Sequence, residues 1–135
     1  MESTVLHATD ENMQAVNDFI HSQLPSCCSP KAMNELDLAV EEIYINIAHY
    51  SYAPECGKVE IQCDIAGTPP VLTLVFKDCG KPFDPLAKKD PDLTLSAEER
   101  PIGGLGIFLT KKFMDSVEYE YSDNHNVLTI KKSLL

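Results

Sequence analysis

The chain has 135 residues, the size of one domain, and 44% of them are hydrophobic, so it can bury a core. Its formal net charge of -10 argues against a nucleic-acid partner and against an anionic membrane surface, because both require clustered Lys and Arg. No apolar run approaches the about 20 residues that span a bilayer, and the N-terminus lacks the basic and apolar regions of a signal peptide. We therefore expect one cytoplasmic domain, residues 1–135, whose excess acid serves either solubility or a basic protein partner.

The predicted elements follow in chain order. A strand over residues 3–8 precedes a helix that Asp10 could cap and that extends to about residue 24. A long helix over about 31–50 precedes two strands, 58–65 and 71–77. A helix begins at the glycines near residue 103 and reaches about 115, and strands 117–121 and 127–132 end the chain. This segregated order predicts an α+β fold, a two-layer α/β sandwich with a mixed, mostly antiparallel sheet and helices on one face.

The five cysteines show neither a C-x-x-C pair nor zinc-ligand spacing, so we expect free and mostly buried thiols. Cys79 lies inside a motif discussed below, although the favoured interpretation is a small residue that fills a turn.

The long helix carries Glu42 and Asn46 four residues apart, which places them on one flank about a quarter turn from the apolar stripe. An amide oxygen such as that of Asn46 suits Mg²⁺, and a carboxylate one turn away can orient or deprotonate an attacking hydroxyl. The ordinary alternative is a solvated helix flank. The apolar stripe consists of Leu36, Val40, Ile43 and Ile47.

Asp78 follows directly after an apolar predicted strand and opens the run Asp-x-Gly-x-Pro-Phe-Asp-Pro. An aspartate there can accept a hydrogen bond from the exocyclic amine of adenine, and Gly80 lets the backbone approach a flat base. An Asp-x-Gly turn is also common without any ligand. The length of the run favours a binding role, with Phe83 anchoring the turn in the core.

Gly103, Gly104 and Gly106 open the next predicted helix, where backbone N–H groups and the helix dipole attract an anion. The run is neither a P-loop nor a dinucleotide-binding fingerprint. Arg100 in the preceding segment could neutralise phosphates. A glycine cluster that only packs the helix is the alternative.

In order and spacing, the three motifs resemble those of the GHKL (Bergerat-fold) ATPases. Within these, the chain looks most like the anti-sigma-factor serine kinases of the RsbW type. The matching segments are Ala39-Val-Glu-Glu-Ile-Tyr-Ile-Asn46, Asp78-Cys-Gly-Lys-Pro-Phe-Asp-Pro85 and Gly103-Gly-Leu-Gly-Ile-Phe-Leu-Thr-Lys-Lys-Phe-Met-Asp115.

The resemblance implies a Bergerat fold that binds Mg-ATP under a mobile lid at about residues 86–102. It implies Glu42 as general base, Asn46 as Mg²⁺ ligand and Asp78 with Gly80 as the adenine-binding pair. The phosphate-binding residues implied are Gly103, Gly104, Leu105 and Gly106, with Arg100 nearby. It also implies a sigma factor and a small anti-sigma-factor antagonist as partners, and a homodimer.

Two positions depart from the pattern of that family. Tyr50 stands where the family often has histidine, and His125 and Asn126 stand near the position of its Gly-Thr pair. These departures concern the edge of the site. Two hypotheses for the function remain: a protein-serine kinase, and a non-catalytic module in which ATP controls the binding of a partner. A third, a domain without a nucleotide site, requires three accidental matches.

Overall fold

The computed structural model describes residues 1–52, 57–87 and 105–135. The strands are β1 (Glu2–His7), β2 (Lys58–Ala66), β3 (Val71–Asp78), β4 (Ser116–Ser122) and β5 (His125–Ser133). The α-helices are α1 (Met13–Gln23), α2 (Pro30–Asn46) and α3 (Leu105–Phe113), with 3-10 turns at Asp10–Asn12 and Pro85–Ala87 and a π turn at Ile47–Ser51.

The five strands form one sheet in the order β1-β2-β3-β5-β4, and every pairing between these described strands is antiparallel. Along β2, β3 and β5 buried residues alternate with more exposed ones, which is the period-two pattern of a sheet covered on one face. The helices cover that buried face. The two-layer α+β architecture predicted from the sequence is therefore confirmed. The expectation of a mixed sheet is wrong for the described strands, because each is joined to its neighbour by an antiparallel pairing.

Helix α2 begins at Pro30, one residue before the predicted start. The Ser29 side chain accepts a hydrogen bond from the Ala32 backbone N–H at 3.0 Å, and Pro30 occupies the first turn. The helix then continues into the π turn Ile47–Ser51, so the helical path ends at Ser51, close to the predicted residue 50.

The expectation that Asp10 caps α1 is wrong. Residues Asp10–Asn12 form a 3-10 turn before α1, and no side chain caps either element. Asp10 instead pairs with His49, whose Nε2 lies 2.7 Å from the Asp10 Oδ1. The contact ties the start of α1 to the π turn.

The core lies between α1, α2 and the sheet, and the predicted stripe of α2 faces it. Tyr44, which periodicity did not single out, is also fully buried. Its hydroxyl donates to the Thr9 carbonyl at 2.7 Å and accepts from the Thr9 N–H at 3.0 Å, so it fixes the link between β1 and α1. The buried residues of α2 are Ala32, Leu36, Ala39, Val40, Ile43 and Tyr44.

The β4–β5 connection is tighter than predicted. The sequence favoured a five-residue link over residues 122–126, whereas Ser122 pairs directly with His125. Only Asp123 and Asn124 form the turn, with φ of 52° and 64°. Two successive positive φ values are typical of two-residue hairpins, and Asp and Asn tolerate them. As a result, Asn126 belongs to β5 and points into the covered face.

The cysteines agree with the prediction only in part. Cys27, Cys28, Cys63 and Cys79 are free, but Cys27 and Cys79 are exposed rather than buried, and Cys56 lies outside the described residues. Burial raises the pKa of the Cys63 thiol to about 11. Across residues 1–52, 57–87 and 105–135, no helix is long and apolar enough to cross a membrane.

Candidate functional site

A pocket opens between the C-terminal end of α2, the start of α3 and the ends of β3, β4 and β5. Its walls are mostly apolar, with a few polar side chains directed toward it, a composition typical of small-molecule sites. The lining residues are Ile43, Asn46, Ile47, Ser51, Phe76, Asp78, Phe83, Pro85, Ile107, Tyr119, Asn126 and Leu128. Two of the predicted site residues, Asn46 and Asp78, therefore line the same pocket.

Asp78 is the last residue of β3 and is 3% exposed, as its position after an apolar strand predicts. Its Oδ1 accepts hydrogen bonds from the Gly80 backbone N–H at 2.9 Å and from the Asn126 Nδ2 at 2.9 Å. A buried carboxylate held by two donors is a fixed acceptor in a pocket of mostly apolar walls. Such a group can recognise a donor on a flat, otherwise apolar ligand.

Gly80 follows this aspartate because no side chain fits there. A Cβ at Gly80 would overlap the carbonyl oxygen of Ser51, the last residue of the π turn. The same carbonyl accepts a hydrogen bond from the Lys81 N–H at 3.0 Å. Glycine is therefore required for the close approach of two backbones, rather than only for contact with a ligand.

Aromatic side chains surround the mouth of the pocket. The rings of Tyr50 and Phe83 are stacked, with centroids 5.8 Å apart and an interplanar angle of 26°. This contact gives Tyr50, one of the departures from the family pattern, a role in holding the loop after β3. Phe83 is half-buried against Tyr50, so it anchors the loop at the pocket mouth rather than in the core. Cys79 itself is exposed, and its backbone N–H donates to the Tyr52 hydroxyl at 2.8 Å.

Glu42 and Asn46 lie on one flank of α2, as the helical spacing predicts. Asn46 is half-buried, ends α2 and faces the pocket where the π turn begins. π turns occur frequently at functional sites. The Glu42 carboxyl group lies against Gly106, so that a Cβ at Gly106 would overlap it. Gly106 belongs to the first turn of α3, and backbone N–H groups in the first turn of a helix favour negative charge. The structure thus brings a carboxylate from α2 to the start of α3.

Glu35 and His49, which follow the same helical spacing as Glu42 and Asn46, both have partners away from the pocket. The Lys132 ammonium lies 3.1 Å from the Glu35 Oε1, and His49 pairs with Asp10. Neither residue lines the pocket.

Several predicted site residues lie outside the described residues. They are Gly103, Gly104, Arg100 and almost the whole of the predicted lid, 86–102, of which only Leu86 and Ala87 are described, both in the 3-10 turn Pro85–Ala87. Leu105 is described as the first residue of α3. Of the predicted glycines, the structure therefore places Gly80 and Gly106 at the site.

Sequence reasoning named Asn126 only as a departure from the family pattern and did not name Tyr119, yet both line the pocket. Asn126 is directly opposite Asp78 in the β3–β5 register, and the Tyr119 hydroxyl donates to its Oδ1 at 2.5 Å. Burial raises the pKa of Tyr119, so its hydroxyl keeps that proton. The available signal was an asparagine directly before the predicted strand 127–132. It was overlooked because the predicted turn had placed Asn126 outside the sheet.

Comparison with known proteins agrees with this geometry. Residues 6–132 match the family described as the histidine kinase-like ATPase domain. The chain is also 27% identical, over 110 residues, to the serine/threonine-protein kinase BtrW of Bordetella bronchiseptica, a match covering 82% of this chain and 77% of that protein. A match over nearly the whole length, joined to a pocket of this composition, shows that the chain belongs to the histidine kinase-like ATPase domain family.

Proposed function

We propose that this protein is an ATP-dependent protein-serine/threonine kinase of a partner-switching system. In this proposal it binds a sigma factor as an anti-sigma factor and phosphorylates a serine on a small antagonist protein. The observation that carries the catalytic part is the Glu42 carboxyl group, which lies against Gly106 at the start of α3. The similarity of the chain to the serine/threonine-protein kinase BtrW supports the reaction class.

Adenine binding is assigned to Asp78. Its carboxylate is buried, is held through Oδ1 and lines a pocket with apolar walls. The exocyclic amine of adenine is a hydrogen-bond donor that matches such an acceptor. A flat base can pack between apolar walls at little desolvation cost. Phe76, Ile107 and Leu128 supply that apolar surface.

The phosphate end of ATP is assigned to the start of α3, where Gly106 lets the Glu42 carboxyl group come close and the backbone N–H groups of a helix start favour an anion. Asn46 fits as a Mg²⁺ ligand, because its amide is a hard oxygen donor facing the pocket and no hydrogen bond from the described residues occupies it. Bound there, Mg²⁺ would neutralise phosphate charge. In the transfer, the serine oxygen bonds to the γ-phosphorus, the bond to ADP breaks, and Glu42 accepts the serine proton.

The experiment compares wild type with Glu42→Gln and with Glu41→Gln, a neighbouring exposed residue that serves as the matched control. Labelled ATP, Mg²⁺ and a purified candidate antagonist are incubated with each, and ATP affinity is measured separately by calorimetry. We expect Glu42→Gln to lower transfer about 100-fold or more with ATP affinity changed less than about threefold, and Glu41→Gln to behave as wild type.

A wild type that binds ATP but transfers no label would refute the kinase proposal and favour a module in which ATP gates partner binding. An equal loss of phosphate transfer in Glu42→Gln and Glu41→Gln would refute the assignment of Glu42 as the general base. An ATP affinity unchanged by Asp78→Asn would refute the adenine assignment.

A further inference from the structure

Asn126 is the most fully bonded side chain of the pocket. It is 5% exposed, and its Nδ2 donates to the Asp78 Oδ1 at 2.9 Å and to the Lys81 carbonyl at 2.9 Å. Its Oδ1 accepts from the Phe83 N–H at 3.0 Å and from the Tyr119 hydroxyl at 2.5 Å. These four bonds use both donors of the amide and two acceptor positions. The side chain has little capacity left for a direct hydrogen bond to a ligand.

The two backbone partners fix the orientation of this amide. A backbone N–H, that of Phe83, can only donate, and a backbone carbonyl, that of Lys81, can only accept. A rotated Asn126 amide would turn its oxygen toward that carbonyl and toward the Asp78 carboxylate, leaving like groups facing each other. Asn126 must therefore present its NH₂ group to Asp78.

The fixed Asn126 amide in turn holds the Asp78 carboxylate. Two donors, the Gly80 N–H and the Asn126 Nδ2, both meet Oδ1, one from the loop and one from β5. Within the described residues no hydrogen bond ends at Oδ2. The carboxylate is thus held in one rotamer with one oxygen occupied, and Oδ2 is the acceptor that remains for a ligand.

We propose that Asn126 is a positioning residue that sets the purine selectivity of the site by holding Asp78 with Oδ2 available to the base. The inference rests on the proposed ATP site. An oxygen acceptor held in this way favours the 6-amino group of adenine and opposes the 6-oxo group of hypoxanthine or guanine, which places a second acceptor against it. Asn126 acts through Asp78, so its loss should affect adenine and hypoxanthine nucleotides differently.

The test measures the affinities of ATP and inosine triphosphate for wild type, Asn126→Leu, and the matched control Asn34→Leu, which changes an exposed asparagine of α2. We expect Asn126→Leu to lower the affinity for ATP about 10- to 100-fold and the affinity for inosine triphosphate less than about threefold. Only ATP uses the oriented Asp78 oxygen. Asn34→Leu should keep the wild-type ratio.

A double-mutant cycle separates positioning from a structural role. In the Asp78→Asn background, adding Asn126→Leu should lower the affinity for ATP by less than about threefold further, because the group that Asn126 orients has already changed. If Asn126→Leu fails to fold, Tyr119→Phe removes one partner of the amide and keeps the Asp78 bond. It should lower the ratio of the two affinities about two- to fivefold.

The positioning role would be overturned if Asn126→Leu lowered both nucleotide affinities equally, or if the ratio of the two affinities stayed unchanged in Asn126→Leu and Tyr119→Phe. The proposal that wild type binds ATP would still stand. A wild type that binds neither nucleotide would overturn the proposed function, and the inference with it. The two failures are therefore distinguishable.

Discussion

Replacing Gly80 with alanine should destabilise the fold and weaken ATP binding together. The new Cβ would lie 2.7 Å from the Ser51 carbonyl carbon and 2.8 Å from the Ser51 Cβ, and it would overlap the carbonyl oxygen. Carbon atoms in contact normally lie about 3.5–4.0 Å apart. The Ser51 backbone cannot withdraw freely, because its carbonyl is bonded to the Lys81 N–H.

The magnitude follows from two opposing terms. Overpacking of this kind costs about 1–3 kcal/mol, whereas alanine in place of glycine restricts the unfolded chain and returns about 0.4–1 kcal/mol. The net loss of unfolding free energy should be about 1–2 kcal/mol, which for a domain of this size lowers Tm by about 3–10 °C. The Gly80 N–H also holds Asp78, so a displaced turn should reduce ATP affinity.

The assay is thermal unfolding monitored by circular dichroism. Gly106→Ala serves as the matched control. Among the described residues outside its own helix, the three atoms nearest a Cβ at Gly106 all belong to the carboxyl group of Glu42, the end of a side chain that can move, and Gly106 lies in a helix where alanine is favoured. Gly106→Ala should therefore change Tm by less than about 2 °C while impairing phosphate transfer. Equal Tm values for Gly80→Ala and wild type would refute the backbone contact.

Three further predictions concern other parts of the fold. Tyr44→Phe should lower the free energy of urea unfolding by about 1–3 kcal/mol, because the partly buried Thr9 backbone loses the hydroxyl that both donates to its carbonyl and accepts from its N–H; an unchanged midpoint would contradict this anchor. Cys79 should react with iodoacetamide at about pH 8 at least about 100-fold faster than Cys63, whose pKa burial raises to about 11, and mass spectrometry of timed samples checks the order. Glu35→Gln should lower the unfolding free energy by about 1–2 kcal/mol, because Lys132, 9% exposed, keeps its charge without a carboxylate partner; a loss below about 0.3 kcal/mol would count against this.

Much of the fold could be predicted because its signals are local. The apolar stripe of α2 and the alternation in β2 depend only on residues within one element, and the predicted bounds of β3 differ from the observed ones by a single residue. The prediction failed at Asp10 and at the β4–β5 turn. In both cases a partner or a positive φ, rather than local pattern, decided the conformation.

The sequence by itself determined the α+β class, the flank shared by Glu42 and Asn46 and the position of Asp78 at the end of a buried strand. Periodicity and burial determine which face of an element a residue takes, and these are local properties. Only the tertiary structure decided which residues meet across elements: Asn126 with Asp78, 48 residues apart, and Glu42 with Gly106. Strand register and helix packing fix such contacts, and neither is encoded in the spacing of a single segment.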